Sequence, residues 1–223
     1  MKLLLHTCCA PCSVYCLKTL RQEGIEPTLF WYNPNIHPLT EYQARRDCLK
    51  DYAKSQQVEL ILEDNYGLDE FVCAIASQPD FAEAMRTRCQ NYCYPKRLRR
   101  TFEYAKRHGY DAVSTTLLYS IYQQHDILKD LMEQLAKEYQ INFLYRDFRE
   151  GWHEGQTEAR ELNLYIKKYC GCIFSEEEAI YGRQIAKKLK KQGIKPTNQN
   201  IRKIISETPG NLTLTPTDLN SQS

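Results

Sequence analysis

The sequence predicts an α/β fold: a parallel sheet of about five strands flanked by helices, with a helical region after it. Three observations carry that prediction. Short apolar runs alternate with amphipathic stretches, the pattern of βαβ units with right-handed crossovers. The unusual polar motifs fall just after those runs, where the carboxyl ends of parallel strands gather. Beyond the last run the pattern becomes purely helical.

In chain order, the strands are residues 2–6 (KLLLH), 26–32 (EPTLFWY), 58–63 (VELILE), 110–116 (YDAVSTT) and 141–146 (INFLYR). Helical stretches cover residues 12–23, 40–55, 68–77, 88–107 and 121–139, and a final helical region at 163–192 is interrupted at Gly171. Four motifs sit at strand ends and are expected to share one crevice: HTCCAPC, YNPNIHP, STTLLYS and YRDFREG. Residues 1–207 are expected to form one domain, and the polar, Pro/Gly-punctuated tail at 208–223 to be disordered.

With 223 residues, 42% hydrophobic and 26% charged, the chain is long enough to bury a real core and has an ordinary globular composition. A net charge of only +2 does not by itself mark a nucleic-acid binder. The N-terminal apolar run is too short for a signal h-region, and no segment reaches the roughly 20 apolar residues of a membrane span. The expectation is a cytoplasmic protein without a membrane partner.

Ten cysteines in a reducing compartment point to metal ligands or catalytic thiols rather than structural bridges. Nucleotide-binding α/β folds place glycines after the first strand, so that backbone N–H groups cradle phosphate. Here the turn is TCCAPCS, with no glycine. Cys8, Cys9 and Cys12 replace a phosphate loop with thiols, which suit zinc, copper(I) or iron–sulfur clusters. Cys89 and Cys93, four apart on a helix, share one face. Five thiols exceed what a four-ligand structural zinc needs. A cubane cluster plus a second metal uses them more fully, with Asp147, Asp126, His37 and Asp64 as candidate further ligands; spacing does not choose zinc from iron–sulfur. Cys170-Gly-Cys172 is read either as a strained, redox-active disulfide or as two unrelated thiols. Cys16, Cys48 and Cys73, amid apolar neighbours, read as core filler.

Taken in order, LLLHTCCAPCS, WYNPNIHPLTEYQARRD, RCQNYCYPKRL, STTLLYS, YRDFREG and YCGCIFS resemble the QueH-type epoxyqueuosine reductases over residues 2–185. The resemblance implies a HUP-like nucleotide-binding α/β fold. It implies reduction of the epoxide of epoxyqueuosine, at the wobble position of tRNA, to the alkene of queuosine. It also implies a [4Fe–4S] cluster with an adjacent mononuclear iron. Carried over by residue, Cys8, Cys9, Cys12, Cys89 and Cys93 fall on the family's metal-site cysteines, and Cys170 and Cys172 on its late pair, expected to form a disulfide near the site. Asp147 is the candidate oxygen ligand or proton donor, and His37 a second proton donor. Two departures stand out. The family's second motif usually spaces its cysteines by two residues, here three. Where the family often carries an aspartate after the tyrosine of the third-strand loop, this chain has Gly67.

For tRNA, two basic stripes fit phosphate contacts: Lys96, Arg97, Arg99, Arg100, Lys106 and Arg107, and Arg183, Lys187, Lys188, Lys190, Lys191 and Lys195. The modified base must leave the anticodon stack to be reduced, and Tyr119, Tyr122 and Trp152 are the candidate stacking residues. Electrons must come from a donor outside the chain. The rival readings are a non-catalytic zinc-binding tRNA-interaction or metal-handling protein, and a nucleotide-dependent enzyme of the related ATP-pyrophosphatase fold. The latter lacks its Gly/Ser-rich phosphate loop here.

Overall fold

The computed structural model describes residues 1–197 together with Ile201, Ile204 and Ile205. The tail expected to be disordered lies outside the described residues. The chain divides into two compact units, Met1–Lys167 and a second beginning at Lys168.

The first unit is built on β1 (Leu3–His6), a strand with every residue buried. Such burial on both faces explains its unbroken apolar run. β1 pairs in parallel with β2 (Pro27–Trp31) on one side and β4 (Ala112–Thr115) on the other. β3 (Leu60–Leu62) lies outside β2, and β5 (Asn142–Phe143) outside β4, giving the order β3-β2-β1-β4-β5 with all pairs parallel. The parallel sheet of about five strands expected from the sequence is thus the sheet observed, and its strand order is that of a doubly wound fold. The chain winds to one side of β1 for two strands and then to the other for two. This reversal opens a crevice between the carboxyl ends of β1 and β4.

The fifth strand is much shorter than the run at 141–146. β4 ends at Thr115 and turns into the 3₁₀ segment Thr116–Tyr119, so the edge strand loses its only partner after Leu144 N–H bonds Val113 O at 3.0 Å.

The helices of this unit are α1 (Ala10–Gln22), α2 (Leu39–Ser55), α3 (Leu68–Ala76), α4 (Phe81–Arg88), α5 (Tyr94–Arg107), α6 (His125–Tyr139) and α7 (Trp152–Glu161). α1 starts two residues before its sequence-predicted boundary because Pro11 suits the first turn. The helix expected over 88–107 begins earlier, at a cap where Asp80 Oδ1 accepts from Glu83 N–H at 2.9 Å. It also contains one π turn, Cys89–Cys93, between α4 and α5. In the second unit, α8 (Ile173–Lys191) begins after Cys172, so the expected break at Gly171 is in fact the end of a non-helical stretch from residue 162. No helix among the described residues is long and apolar enough to cross a membrane.

Candidate metal centre

β1 delivers its last side chains into the β1/β4 crevice. His6 Nδ1 lies 2.9 Å from Thr115 Oγ1, and Cys8 N–H donates to Thr116 Oγ1 at 3.2 Å, tying the two strand ends together. Cys9 is the residue before α1, with extended backbone, and Cys12 falls in the first helical turn. Folding back into a helix so soon after the strand gathers three sulfurs. Those of Cys8, Cys9 and Cys12 all lie within 4.8 Å of one another, and all three residues are buried. Cys8 Sγ and Cys9 Sγ are 3.9 Å apart, far beyond a disulfide.

Their electrostatics are shared. Hydrogen bonds from the Cys12 and Cys9 side chains hold the Cys8 thiol well below its ordinary range. Cys12 pulls Cys9 down, but its bond to Cys8 and burial outweigh this and raise it to about 11. Cys12 is pushed well up by its bonds to Cys8 and Cys9 and by burial. Of the three, Cys8 is the one whose surroundings favour the charged form. The N-terminal end of α1 adds a favourable dipole for that charge. Three clustered soft donors fit a thiolate-ligated metal or cluster and leave a further coordination position to another group.

Two cations flank the sulfurs. Arg45 of α2 is 1% exposed and pairs with Glu41 one turn earlier, Nη2 to Oε1 at 2.6 Å. Tyr165 Oη donates to the other Glu41 oxygen. Lys167 reaches Cys12, Nζ to Sγ at 3.0 Å. Lys167 is half-buried, and the nearby sulfurs hold its pKa well above the usual value although burial opposes this.

The second cysteine pair sits on the π turn. Cys89 is half-buried and packs against the core cluster that contains the triad, and Cys93 is buried, its carbonyl accepting from Arg97 Nε at 2.9 Å. Among the described residues the 4.8 Å cluster holds Cys8, Cys9 and Cys12, not this pair. The π turn accounts for the three-residue spacing. A turn with i→i+5 bonds takes up one extra residue and still returns residue i+4 nearly beneath residue i.

The remaining candidates fall in distinct places. His37 is fully buried against the rings of Tyr66 and Phe71, and burial lowers its pKa to about 4. Asp147 caps the 3₁₀ turn Phe148–Gly151, accepts from Arg149 Nε at 2.8 Å, and is held below the usual carboxylate range by that guanidinium. Near neutrality, therefore, His37 is uncharged and Asp147 is an ionised, paired carboxylate. Asp64 accepts from Tyr42 Oη and Arg46 Nη1, each at 2.8 Å, and Asp126 lies in the first turn of α6.

Tyr119, Tyr122 and Trp152 do come together: Trp152 lies 5.0 Å from the Tyr119 ring and 5.5 Å from that of Tyr122. Tyr119 is buried and Tyr122 is 57% exposed, so the cluster runs from core to solvent. Gly151 permits this packing, since a Cβ there would lie 2.1 Å from the Tyr15 ring that stacks on Tyr119. Gly67 has a similar reason, because a Cβ would meet Pro34 Cβ at 2.9 Å.

None of the ten cysteines is joined in a disulfide, the Cys170–Cys172 bridge included. Locally, Gly171 N–H bonds Ser175 Oγ at 3.0 Å and Ser175 N–H bonds Cys172 O at 2.9 Å, committing the segment to opening α8. Cys16 is buried as expected, and Cys48 half-buried, where its sulfur accepts Tyr165 N–H at 3.3 Å. Cys73 is exposed, contrary to expectation, because α3 buries Phe71 and Ile75 and position 73 faces away from both. The sequence reading missed Lys167, Arg45, Thr115 and Thr116 as site residues. The threonines lay within the STTLLYS motif. Arg45 lay within the WYNPNIHPLTEYQARRD motif, and Lys167 offered no local signal, since its partner Cys12 is 155 residues away.

Fold and site define a doubly wound α/β protein whose switch point carries clustered thiols in place of a phosphate loop. The family model described as epoxyqueuosine reductase QueH matches residues 3–178, and the chain belongs to that family. The epoxyqueuosine reductase QueH of Dehalococcoides mccartyi is 37% identical over 177 residues, covering 79% of this chain and 93% of its own. That of Thermotoga maritima is 31% identical, covering 77% and 88%. A solved structure, described as a predicted subunit of tRNA methyltransferase from Methanocaldococcus jannaschii, aligns with a TM-score of 0.46 at 17% identity, over 87% of this chain and 90% of its own.

Proposed function

We propose that this chain is a cytoplasmic oxidoreductase of queuosine synthesis that reduces the epoxide of epoxyqueuosine in tRNA to the alkene of queuosine. The observation that carries the reading, together with family membership, is the buried triad Cys8, Cys9 and Cys12 at the sheet's switch point. The net change takes two electrons and two protons and releases the epoxide oxygen as water. Cys8, Cys9 and Cys12, with Cys89 and Cys93, would hold a [4Fe–4S] cluster and an adjacent iron. When bound, that group supplies single electrons from an external donor and a Lewis acid for the leaving oxygen. Cys170 and Cys172 are proposed as an accessory redox pair.

The chain's own residues do the rest. The Thr116 hydroxyl donates to Cys8 Sγ at 3.6 Å and orients it. Trp152 and exposed Tyr122 offer a platform on which a base drawn out of the anticodon stacks. The cations of α8, which make no ion pair among the described residues, take backbone phosphates. His37, held neutral, and Asp147, held ionised, orient groups rather than releasing protons near neutrality.

The test is anaerobic reconstitution with iron and sulfide, then incubation with epoxyqueuosine-containing tRNA and a chemical reductant. Nucleoside masses are read for loss of one oxygen. Conversion supports the reading, and a brown, cluster-loaded protein that converts nothing rejects the substrate. A colourless chain that retains zinc and takes up no iron favours a binding protein.

A further inference from the structure

The charges buried beside the triad do not balance without it. Arg45 and Glu41 cancel within α2, at 2.6 Å. Lys167 has no carboxylate within ion-pair distance among the described residues, and the group it reaches is Cys12 Sγ, at 3.0 Å. A buried ammonium is tolerated only opposite an anion. The chain has therefore placed one uncompensated positive charge against its sulfur cluster, from a segment 155 residues away in sequence.

We propose that Lys167 is a positioning residue that fixes the charge balance of the sulfur site, and so sets how readily a group bound there accepts an electron. This rests on the iron–sulfur reading above. Thiolates gathered around a bound cluster would give the site negative charge, which the ammonium offsets. Reduction would add a further negative charge in a buried, weakly screened place. The ammonium favours this state through Coulomb attraction and an N–H···S bond to Cys12. The bond also fixes the rotamer of Cys12.

The test uses the full chain, reconstituted anaerobically, as wild type, Lys167→Met, Lys167→Gln and Lys167→Arg. Iron and sulfide content, the visible spectrum and the midpoint potential are measured for each. With Lys167→Met, the reduced-to-oxidised ratio at a fixed potential should fall at least tenfold, equivalent to a midpoint lower by about 59 mV for a one-electron couple. Lys167→Arg should restore most of this, and Lys167→Gln, which keeps a donor without the charge, only a minor part. A loaded Lys167→Met or Lys167→Gln protein with the wild-type potential overturns the proposal. If Lys167→Met fails to fold or load, the Gln and Arg pair decides by the same criterion. A wild-type chain that takes up no cluster defeats the underlying reading and this proposal with it, an outcome recognisable because it appears without any substitution.

Discussion

On α5, the cations that face neighbouring elements are met by carboxylates. Lys96 pairs with Glu70 of α3, Arg99 with Glu138 of α6 at 2.7 Å, and Arg100 with Glu63 at 2.6 Å, while Arg97 is buried. Lys106 and Arg107 end the helix, where positive charge suits its dipole. On α8, Arg183, Lys187, Lys188, Lys190 and Lys191 are all exposed, and the stretch 183–195 contains no Asp or Glu. Ile185 and Leu189 bury the opposite face. No ion pair involves these α8 cations among the described residues. In sequence the two stripes look alike. The difference lies in where the acids are, and acids distant in sequence become visible only once the chain is folded. A stripe already neutralised has little field left for a polyanion, whereas an unmatched one retains it.

The largest break of this contrast should come at the most deeply matched cation. Cys12→Ala leaves the Lys167 ammonium without its sulfur, and about 3 kcal/mol of stability should be lost, read by denaturant unfolding. The same variant should lose bound iron. Next is His37, a buried base kept uncharged. Its folded pKa, about 4, lies below the ordinary 6.5, so the unfolded chain takes up the proton first. Stability therefore falls as pH drops from 6.5 toward 4, by about 2 kcal/mol at pH 5 from this group. Thermal melts of wild type and His37→Asn across that range should diverge accordingly. Third, replacing Lys187, Lys190 and Lys191 by Ala should weaken tRNA binding about tenfold and lower the slope of log affinity against log salt by about 2 to 3. The melting temperature should not move. Equal salt slopes would remove α8 from the RNA surface. The smallest effect is Arg99→Ala, an exposed pair expected to contribute below ~0.5 kcal/mol and to leave tRNA affinity unchanged.

The three central strands were legible because they are buried on both faces and read as apolar runs. The triad was legible because Cys-Cys-x-x-Cys replaces a glycine loop at a position fixed by topology. What could not be read depends on distant partners. Lys167 gains its meaning from Cys12, Arg45 from lying beside the sulfurs, and Gly67 from Pro34. Residues 141–146 looked like a full strand because apolarity does not reveal that the neighbouring strand turns away. The π turn was hidden because i and i+4 share a face in either kind of helix.

That turn also bears on how such a chain can change length. In an uninterrupted α-helix one inserted residue rotates all that follows by about 100°, scrambling which side chains point inward. Confined to Cys89–Cys93, the extra residue is absorbed in a single turn, and α4 and α5 each keep their own inward face. The helix thus carries its own expansion joint beside a cysteine pair. An alignment with relatives of shorter spacing should place its gap between those two cysteines, where a lineage can gain or lose a residue without repacking the domain.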